Sequence, residues 1–470
     1  MWKIIAGKEI STAFRKRTAY LLGFVLLALL AVAAIGGYQR YRSYSEDAGR
    51  AGSLFREEWT HQQANPHSAA HFGTYLFKPV HFLSLLDPGI NSYTGNTYRV
   101  EGHYQHQVDG AAAAASDILS RFGDLHVALV FQWLVPLAIV VLCFSAICGE
   151  RESQTLKMLL TQGAQPASLL WGKIAGNFTV LLLVLFPAFI VLALGVSPGP
   201  DAAGALVRLG LMLLVYCLYF FVITAVVCMV SAACRSSASS LLISISLWMC
   251  FCVVLPRALA ALADERYPLP SRHQFNTLLE QGFMQGLDED GSRDERYTHY
   301  LDSLLQHYEK DSVQQLPMNF DGLAMQQSED YQSKVFDRYN GQLTGILTRQ
   351  LRFQESAALV DPFIAVQQLS MALAGTDLYQ HLRFHAQAKR YRDEFIRILN
   401  METAYGDATY LSYEYEVGPR FFEQMEDFQY REPGVAWMLA RHGTSAIALL
   451  VCFVLTLLSI QPVSRLIRKQ

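Results

Sequence analysis

Six long apolar runs alternate with polar segments along the chain, and this alternation is the strongest pattern in the sequence. The first run, residues 18–38, has no charged side chain and is long enough to cross a bilayer as a helix. Five further apolar runs cover residues 126–148, 178–196, 206–230, 241–259 and 444–460, with Arg208 and Arg257 as their only Lys, Arg, Asp or Glu residues. The pattern therefore predicts an all-α membrane protein with six transmembrane helices, numbered here as spans 1 to 6.

Residues 1–17 form a basic, amphipathic segment in front of span 1. Apolar side chains such as Trp2 and Ile5 are interspersed with basic ones such as Lys8 and Arg15, so we expect this segment to lie along the membrane surface. A cleavable signal peptide is the alternative for this N-terminal stretch, because its start is basic and small residues occur between Ala31 and Gly37. The run is long for a signal peptide, and we expect it to remain as span 1.

The basic residues on the short polar segments predict the orientation of the chain. The only short loop on one side, residues 197–205, has no Lys or Arg. The other side holds Lys3, Lys8, Arg15, Lys16, Arg17, Arg151, Lys157, Lys173, Arg235, Arg465, Arg468 and Lys469. Because basic residues are enriched in cytoplasmic loops, both termini, including the tail 461–470, are predicted to be cytoplasmic.

Two long polar segments, residues 39–125 and 263–442, then lie outside by parity. We expect them to form two mainly helical extracytoplasmic domains. In the second, apolar residues recur at helical spacing over residues 297–308, 336–347 and 378–399. Such apolar faces need to be covered by their own domain, by the other external domain or by another copy of the chain, and the sequence leaves these three alternatives open.

Spans 2 and 3 are separated by a charged elbow, residues 149–177. It opens with Glu-Arg-Glu at 150–152, directly after the apolar run, and should therefore sit at the membrane surface. A short helix is predicted from near Ser153, with Gly163 placed to end it and Pro166 to start the next helix. One side of this helix would present Leu156, Leu159 and Leu160. Nothing in the sequence obviously covers that side.

This order of residues resembles the first cytoplasmic loop of type-2 ABC transporter permeases, which reads Glu-Arg-Glu, a spacer, Gly-Thr-Leu and a Leu pair. The matching positions are Glu150, Arg151, Glu152, Thr155, Leu156, Leu159 and Leu160, followed by Leu169, Leu170, Gly172 and Lys173. Gln154 replaces the Gly of the pattern. The resemblance implies that the elbow is a coupling helix, in which the charged triplet makes contacts or braces the loop and the Leu side chains fill a groove on a separate ATPase.

Residues 65–79 and 87–105 resemble a branch of these permeases that carries large insertions, known as domain of unknown function 3526. The resemblance implies a permease subunit in a bacterial inner (plasma) membrane, paired with a second permease copy or a sister permease. Two copies of an ABC ATPase subunit would bind ATP and Mg, so this chain itself needs no cofactor. The ATPase would drive export or mechanical work on a periplasmic partner.

Catalytic motifs are missing from the sequence. Gly172 and Lys173 lack the upstream Gly and the following hydroxyl residue of a phosphate-binding loop, since Ala167 and Ile174 stand there. No GxSxG sequence is present. The chain is therefore not predicted to be an enzyme, and its net charge of −3 gives no reason to expect nucleic-acid binding.

Histidines cluster in the first external segment. His67 and His71 are spaced i, i+4, which would place both rings on one helix face, as two metal ligands require. His103 and His106 are further candidates. No Cys or HExxH motif supports a metal site, and histidines that hydrogen-bond within a polar fold are the favoured interpretation, so no metal site is predicted.

A function from another class also fits the sequence. The chain could be a membrane-anchored sensor or scaffold, with ligand-binding external domains and an elbow that recruits a protein other than an ATPase. Many aromatic residues in residues 263–442 are compatible with a ligand cleft, although most are expected to be core.

Overall fold

The computed structural model describes residues 1–109, 125–195, 202–406 and 414–469. Within them, six helices are long and apolar enough to cross a membrane. Spans 1 to 6 are Thr18–His61, Val127–Glu152, Pro166–Gly195, Ala202–Ala233, Ser237–Arg266 and Gly443–Arg468. The predicted all-α membrane fold with six spans is confirmed. Of the predicted segments, residues 110–124, 196–201, 407–413 and 470 lie outside the described residues.

The other elements of the described residues are further helices of 4 to 37 residues and one small sheet. The helices are Trp2–Arg15, Pro66–Phe72, Asn91–Thr94, Thr155–Thr161, Arg272–Gln285, Arg293–His307, Phe320–Ser356, Pro362–Ala374, Leu378–Tyr405, Pro419–Gln424 and Val435–Arg441. Strands β1 (Thr74–Phe77) and β2 (Thr97–Val100) pair antiparallel, with Thr74 opposite Val100. Each strand is four residues long. The sheet is therefore a small local element of a mainly helical protein.

Span 1 is much longer than its apolar run. Its helix comprises 44 residues and continues beyond residue 38 to His61. At about 1.5 Å per residue it is about 66 Å long, twice the thickness of a bilayer core. Hydropathy identifies only the membrane-crossing part of this helix, because residues 39–61 are polar. These residues contain no proline that would end the helix, so it continues through them. One continuous rod therefore joins the membrane to the polar part of the molecule.

The two polar segments fold together around one hydrophobic core. The ring of Trp59, at the end of the long helix, lies 4.7 Å from the ring of Phe395 and 5.0 Å from that of Phe422. Tyr98 and Phe384 are buried in the same cluster. The apolar face of residues 378–399 is thus covered by the first segment, whereas Tyr297 and Tyr300 pack on Phe320 of their own segment. We call this joint body the polar domain.

Helix Pro362–Ala374 joins the polar domain to the spans. The sequence placed it inside the external segment 263–442, but its apolar side chains pack into the core formed by the spans. Ser370 donates to the Asp87 carboxylate at 2.6 Å, and its oxygen lies 2.8 Å from the hydroxyl of Tyr216 in span 4. At 13 residues the helix is too short for hydropathy to distinguish it from other helices of the external segment. The polar domain and the spans are therefore firmly connected.

The charged elbow as a candidate coupling site

The helices of the elbow begin and end close to the positions that the sequence predicted. Span 2 ends at Glu152, and helix Thr155–Thr161 follows. Gly163 has φ +90, and Pro166 begins span 3. Gln154, which stands where the permease pattern has Gly, adopts the left-handed conformation with φ 61. The turn between the two helices is therefore the one that a Gly would favour, although a side chain there costs about 1–2 kcal/mol.

Glu150 connects the elbow to the N-terminal helix and to span 3. Its carboxylate accepts hydrogen bonds from Lys173 at 2.7 Å, from Lys8 at 3.3 Å and from the Thr155 hydroxyl. Lys173 also lies 2.8 Å from the carboxylate of Glu9. Its side chain is almost completely buried. A buried ammonium needs such partners, so this cluster holds three segments of the chain together.

Arg151 contacts the end of span 4. Its guanidinium donates to the carbonyl of Ala232 at 3.3 Å and to the carbonyl of Cys234. The last carbonyls of a helix have no partner within the helix and carry partial negative charge. The arginine therefore satisfies the end of span 4 and fixes it to the elbow.

Glu152 contacts the start of span 5. Its carboxylate accepts a hydrogen bond from the Ser237 backbone N–H and another from the Ser237 hydroxyl, each at 2.7 Å. The first N–H groups of a helix lack intrahelical acceptors, and the helix dipole favours a negative charge there. The three charged residues therefore tie the elbow to spans 3, 4 and 5 and to the N-terminal helix.

The leucine side of the elbow helix is less open than the sequence suggested. Leu156 is only 5% exposed, and Leu159 and Leu160 are partly buried against the core of the spans. The prediction that nothing in the chain covers this side is therefore corrected for Leu156. The exposed side instead presents Lys157 and Met158, followed by Thr161 and Gln162. Amphipathic spacing identified the apolar face but could not say which surface covers it.

Two glycines let the N-terminal helix approach span 3. A Cβ at Gly172 would lie 2.6 Å from the Cβ of Ile5, and one at Gly176 would lie 2.7 Å from the Cβ of Glu9. Both distances are shorter than atoms tolerate, so only glycine fits. The Gly-Lys pair that resembled part of a phosphate loop is therefore a packing and charge-pairing element.

Sequence reasoning missed the partners of the charged triplet. Lys8, Glu9 and Ser237 are separated from the elbow by long stretches of chain, and no local periodicity links them to it. A weak signal existed at Ser237, because a serine cluster at the start of an apolar run is typical of a helix N-terminus.

In the polar domain, three of the four candidate histidines meet. His67, His71 and His103 each offer a ring nitrogen within 4.8 Å of the others. His106 instead lies 2.6 Å from the carboxylate of Glu101. The i, i+4 spacing placed the first two rings on one helix, as expected, and the fold adds the third.

Six spans and an elbow whose charged side chains join four helices define a multi-pass membrane protein. The chain belongs to the ABC-2 family transporter proteins, whose family model matches residues 3–288. Residues 277–431 match the Domain of unknown function (DUF3526). No curated protein matches the sequence. The chain is thus a membrane permease component of the ABC transporter class, as its resemblance to that family and branch implied.

Proposed function

We propose that this chain is the permease subunit that couples a partner ATPase to movement of the polar domain. Two copies of the ATPase, loaded with ATP and Mg, would dock at the elbow from the cytoplasm. A second permease copy or a sister permease completes the assembly in a bacterial inner membrane. In this arrangement both termini are cytoplasmic and the polar domain is periplasmic, in agreement with the distribution of basic residues.

The observation that carries this proposal is the set of contacts made by the charged triplet. Glu150 binds Lys173, Arg151 binds the end of span 4, and Glu152 binds the start of span 5. A push on the elbow helix would be delivered to several spans at once, because these contacts join rigid helices. Coupling also requires that the elbow binds the two nucleotide states of the ATPase with different affinity.

The docking face that we propose is the exposed side of helix Thr155–Thr161. Met158 is 51% exposed and is flanked by exposed Lys157. A flexible apolar side chain beside a charge suits an interface that must adapt to two states of a partner. Leu159 and Leu160 would contribute their accessible edges, whereas buried Leu156 would hold the helix on the spans.

Mechanical work on a periplasmic partner is favoured over simple export by one observation. Span 1 continues as an unbroken helix from Thr18 to His61 and places Trp59 in the core of the polar domain. Because the helix is continuous, a tilt of its membrane part would therefore also move the polar domain. We infer that movement of the polar domain is the output of ATP hydrolysis.

Co-purification tests the proposal. The chain would be extracted with a mild detergent through a C-terminal tag, and co-purified protein and ATP hydrolysis would be measured. The test variant combines Lys157→Glu with Met158→Asp on the exposed face. Arg465→Glu is the matched control, because it reverses an exposed charge on the same side of the membrane.

The expected result is an ATPase that accompanies the wild type and the control but not the test variant, while all three elute as folded protein. Retention of the ATPase by the double variant would place docking elsewhere on the chain. If the wild type retains no ATPase but binds a kinase or another regulator, the sensor or scaffold function replaces the permease function.

A further inference from the structure

Three histidine rings of the polar domain form a cluster around a common point. His67 and His71 lie one turn apart on helix Pro66–Phe72, and their Nε2 atoms are 3.2 Å apart. The ring centroid of His103 lies 5.2 Å from that of His67 and 5.1 Å from that of His71. One nitrogen from each ring lies within 4.8 Å of the other two.

We propose that His67, His71 and His103 bind a divalent transition metal ion such as Zn²⁺. Two nitrogens bound to one tetrahedral zinc at 2.0–2.1 Å are about 3.3–3.4 Å apart, close to the separation of the first pair. Imidazole suits zinc, copper and nickel, and three histidines with one open position are a known zinc ligand set. A hydrogen bond between His67 and His71 alone would not account for the third ring.

The backbone around the cluster is fixed before any ion binds. The Asn65 side chain accepts hydrogen bonds from the N–H groups of His67 and Ser68, which caps the short helix. Gly102 donates to the carbonyl of Ala70 at 2.8 Å. This bond holds the turn that carries His103 against the helix that carries the other two rings, so the ligands are preorganised.

A buried carboxylate orients the third ring. Nδ1 of His103 lies 3.1 Å from Oε1 of Glu329, and the backbone N–H of His103 donates to the same oxygen at 2.6 Å. Glu329 is 3% exposed and is paired with Arg392 at 2.7 Å. Metal-binding histidines usually donate their second ring N–H to a carboxylate in this way. Nε2 of His103 is then the nitrogen left to coordinate an ion.

The cluster also has access to solvent. A cavity of about 490 Å³ opens beside His67 and His103 and is lined in part by Asn65, Tyr297 and Gln332. An ion held by three rings would therefore keep a fourth position for water or a small ligand. The site goes beyond the proposed coupling function and does not depend on it.

Zinc titration of the full-length protein tests this site. The chain would carry a tag without histidines, be purified in detergent and be freed of metal with a chelator. Calorimetry would follow the addition of ZnCl₂, and elemental analysis would count the ions retained after gel filtration. The variants are His71→Ala and His103→Ala, with His106→Ala as the matched control because His106 is bound to Glu101 outside the cluster.

We expect one equivalent of zinc in the wild type and in His106→Ala, and loss of this equivalent in His71→Ala and in His103→Ala. His71 is exposed, so its variant should fold, and its melting temperature without zinc should match that of the wild type. No stoichiometric zinc in the wild type would overturn the proposal. Equal binding by His71→Ala and His106→Ala would overturn it as well.

Discussion

The ammonium of Lys173 lies 2.7 Å from the carboxylate of Glu150, and both side chains are largely withdrawn from solvent. Glu9, from the N-terminal helix, lies 2.8 Å from the same ammonium. One cation therefore joins the elbow, span 3 and the N-terminal helix. In the coupling mechanism that we propose, this pairing is one of the contacts through which a force on the elbow would enter the spans.

Replacing Lys173 by Met should destabilise the protein by on the order of 3 kcal/mol, because Glu9 and Glu150 would be left close together without a cation. The measurement is chemical unfolding of the purified protein in detergent. Lys8→Met is the comparison, since Lys8 is 56% exposed and 3.3 Å from Glu150. An exposed pair of this kind contributes about 0–1 kcal/mol. An equal decrease in the free energy of unfolding in the two variants would contradict the central role of Lys173.

The spans and the elbow could be predicted because each is specified by the order of apolar, charged and helix-ending residues within one short stretch of sequence. Span boundaries follow from uninterrupted apolar residues. The elbow helix follows from its leucine spacing, and Gly163 and Pro166 stand at its end and at the start of span 3. The same reasoning underestimated the length of the span 1 helix, because hydropathy does not detect the part of a helix that leaves the membrane and continues in water.

Contacts between distant parts of the chain could not be predicted in this way. Glu152 and Ser237 meet because spans 3 and 4 lead the chain away from the elbow and back to it, and no local signal specifies that geometry. His103 reaches His67 through the β1–β2 pairing, whose register depends on the whole polar domain. Physical contacts of this kind arise from packing, and a single sequence does not display them.

Gly176→Val should displace the N-terminal helix from span 3. The added methyl groups would meet the backbone of Ala6 and the side chain of Glu9, and overpacking of this kind costs about 1–3 kcal/mol. The displacement would be measured as increased protease cleavage within residues 1–17. Gly210→Val is the control, because a Cβ at Gly210 meets no atom within 4 Å. Unchanged cleavage in Gly176→Val would show that the helix does not rely on this close approach.

His442 should make the stability of the protein depend on pH. Its ring lies 2.8 Å from the carboxylate of Glu355 and 2.7 Å from that of Asp377, just before span 6. Burial opposes the charged form, but the hydrogen bonds to Asp377 and Glu355 outweigh it and raise the pKa of His442 to about 9. The folded protein therefore holds this proton more tightly than the unfolded chain, in which the histidine pKa is about 6.5.

The sign of the effect follows from that difference. The stabilisation is fully present below pH 6.5 and is lost as the pH rises through about 9. We expect the melting temperature of the wild type to fall between pH 6.5 and pH 9.5, and that of His442→Gln to change less over the same interval. A parallel fall in the two proteins would assign the pH dependence to other groups.

Breaking span 1 outside the membrane should separate ATP hydrolysis from movement of the polar domain. Gly49 is exposed on the long helix, and a Cβ there meets no atom within 4 Å. Gly49→Ala should therefore leave the helix intact and stabilise it by about 0.5–1 kcal/mol. Gly49→Pro should break or kink it, because proline cannot donate the backbone hydrogen bond and clashes with the carbonyl one turn earlier.

The readout is hydrogen exchange in the polar domain, measured with the partner ATPase bound and compared between ATP and ADP. If span 1 transmits force, Gly49→Ala should retain the nucleotide-dependent change in exchange around Trp59, and Gly49→Pro should lose it. Both variants should still retain the ATPase, since the elbow is untouched by either substitution. The same nucleotide-dependent change in both variants would exclude span 1 as the transmitting element. The connection through helix Pro362–Ala374, whose Ser370 contacts Tyr216 of span 4 and Asp87, would then be tested as another route for the force.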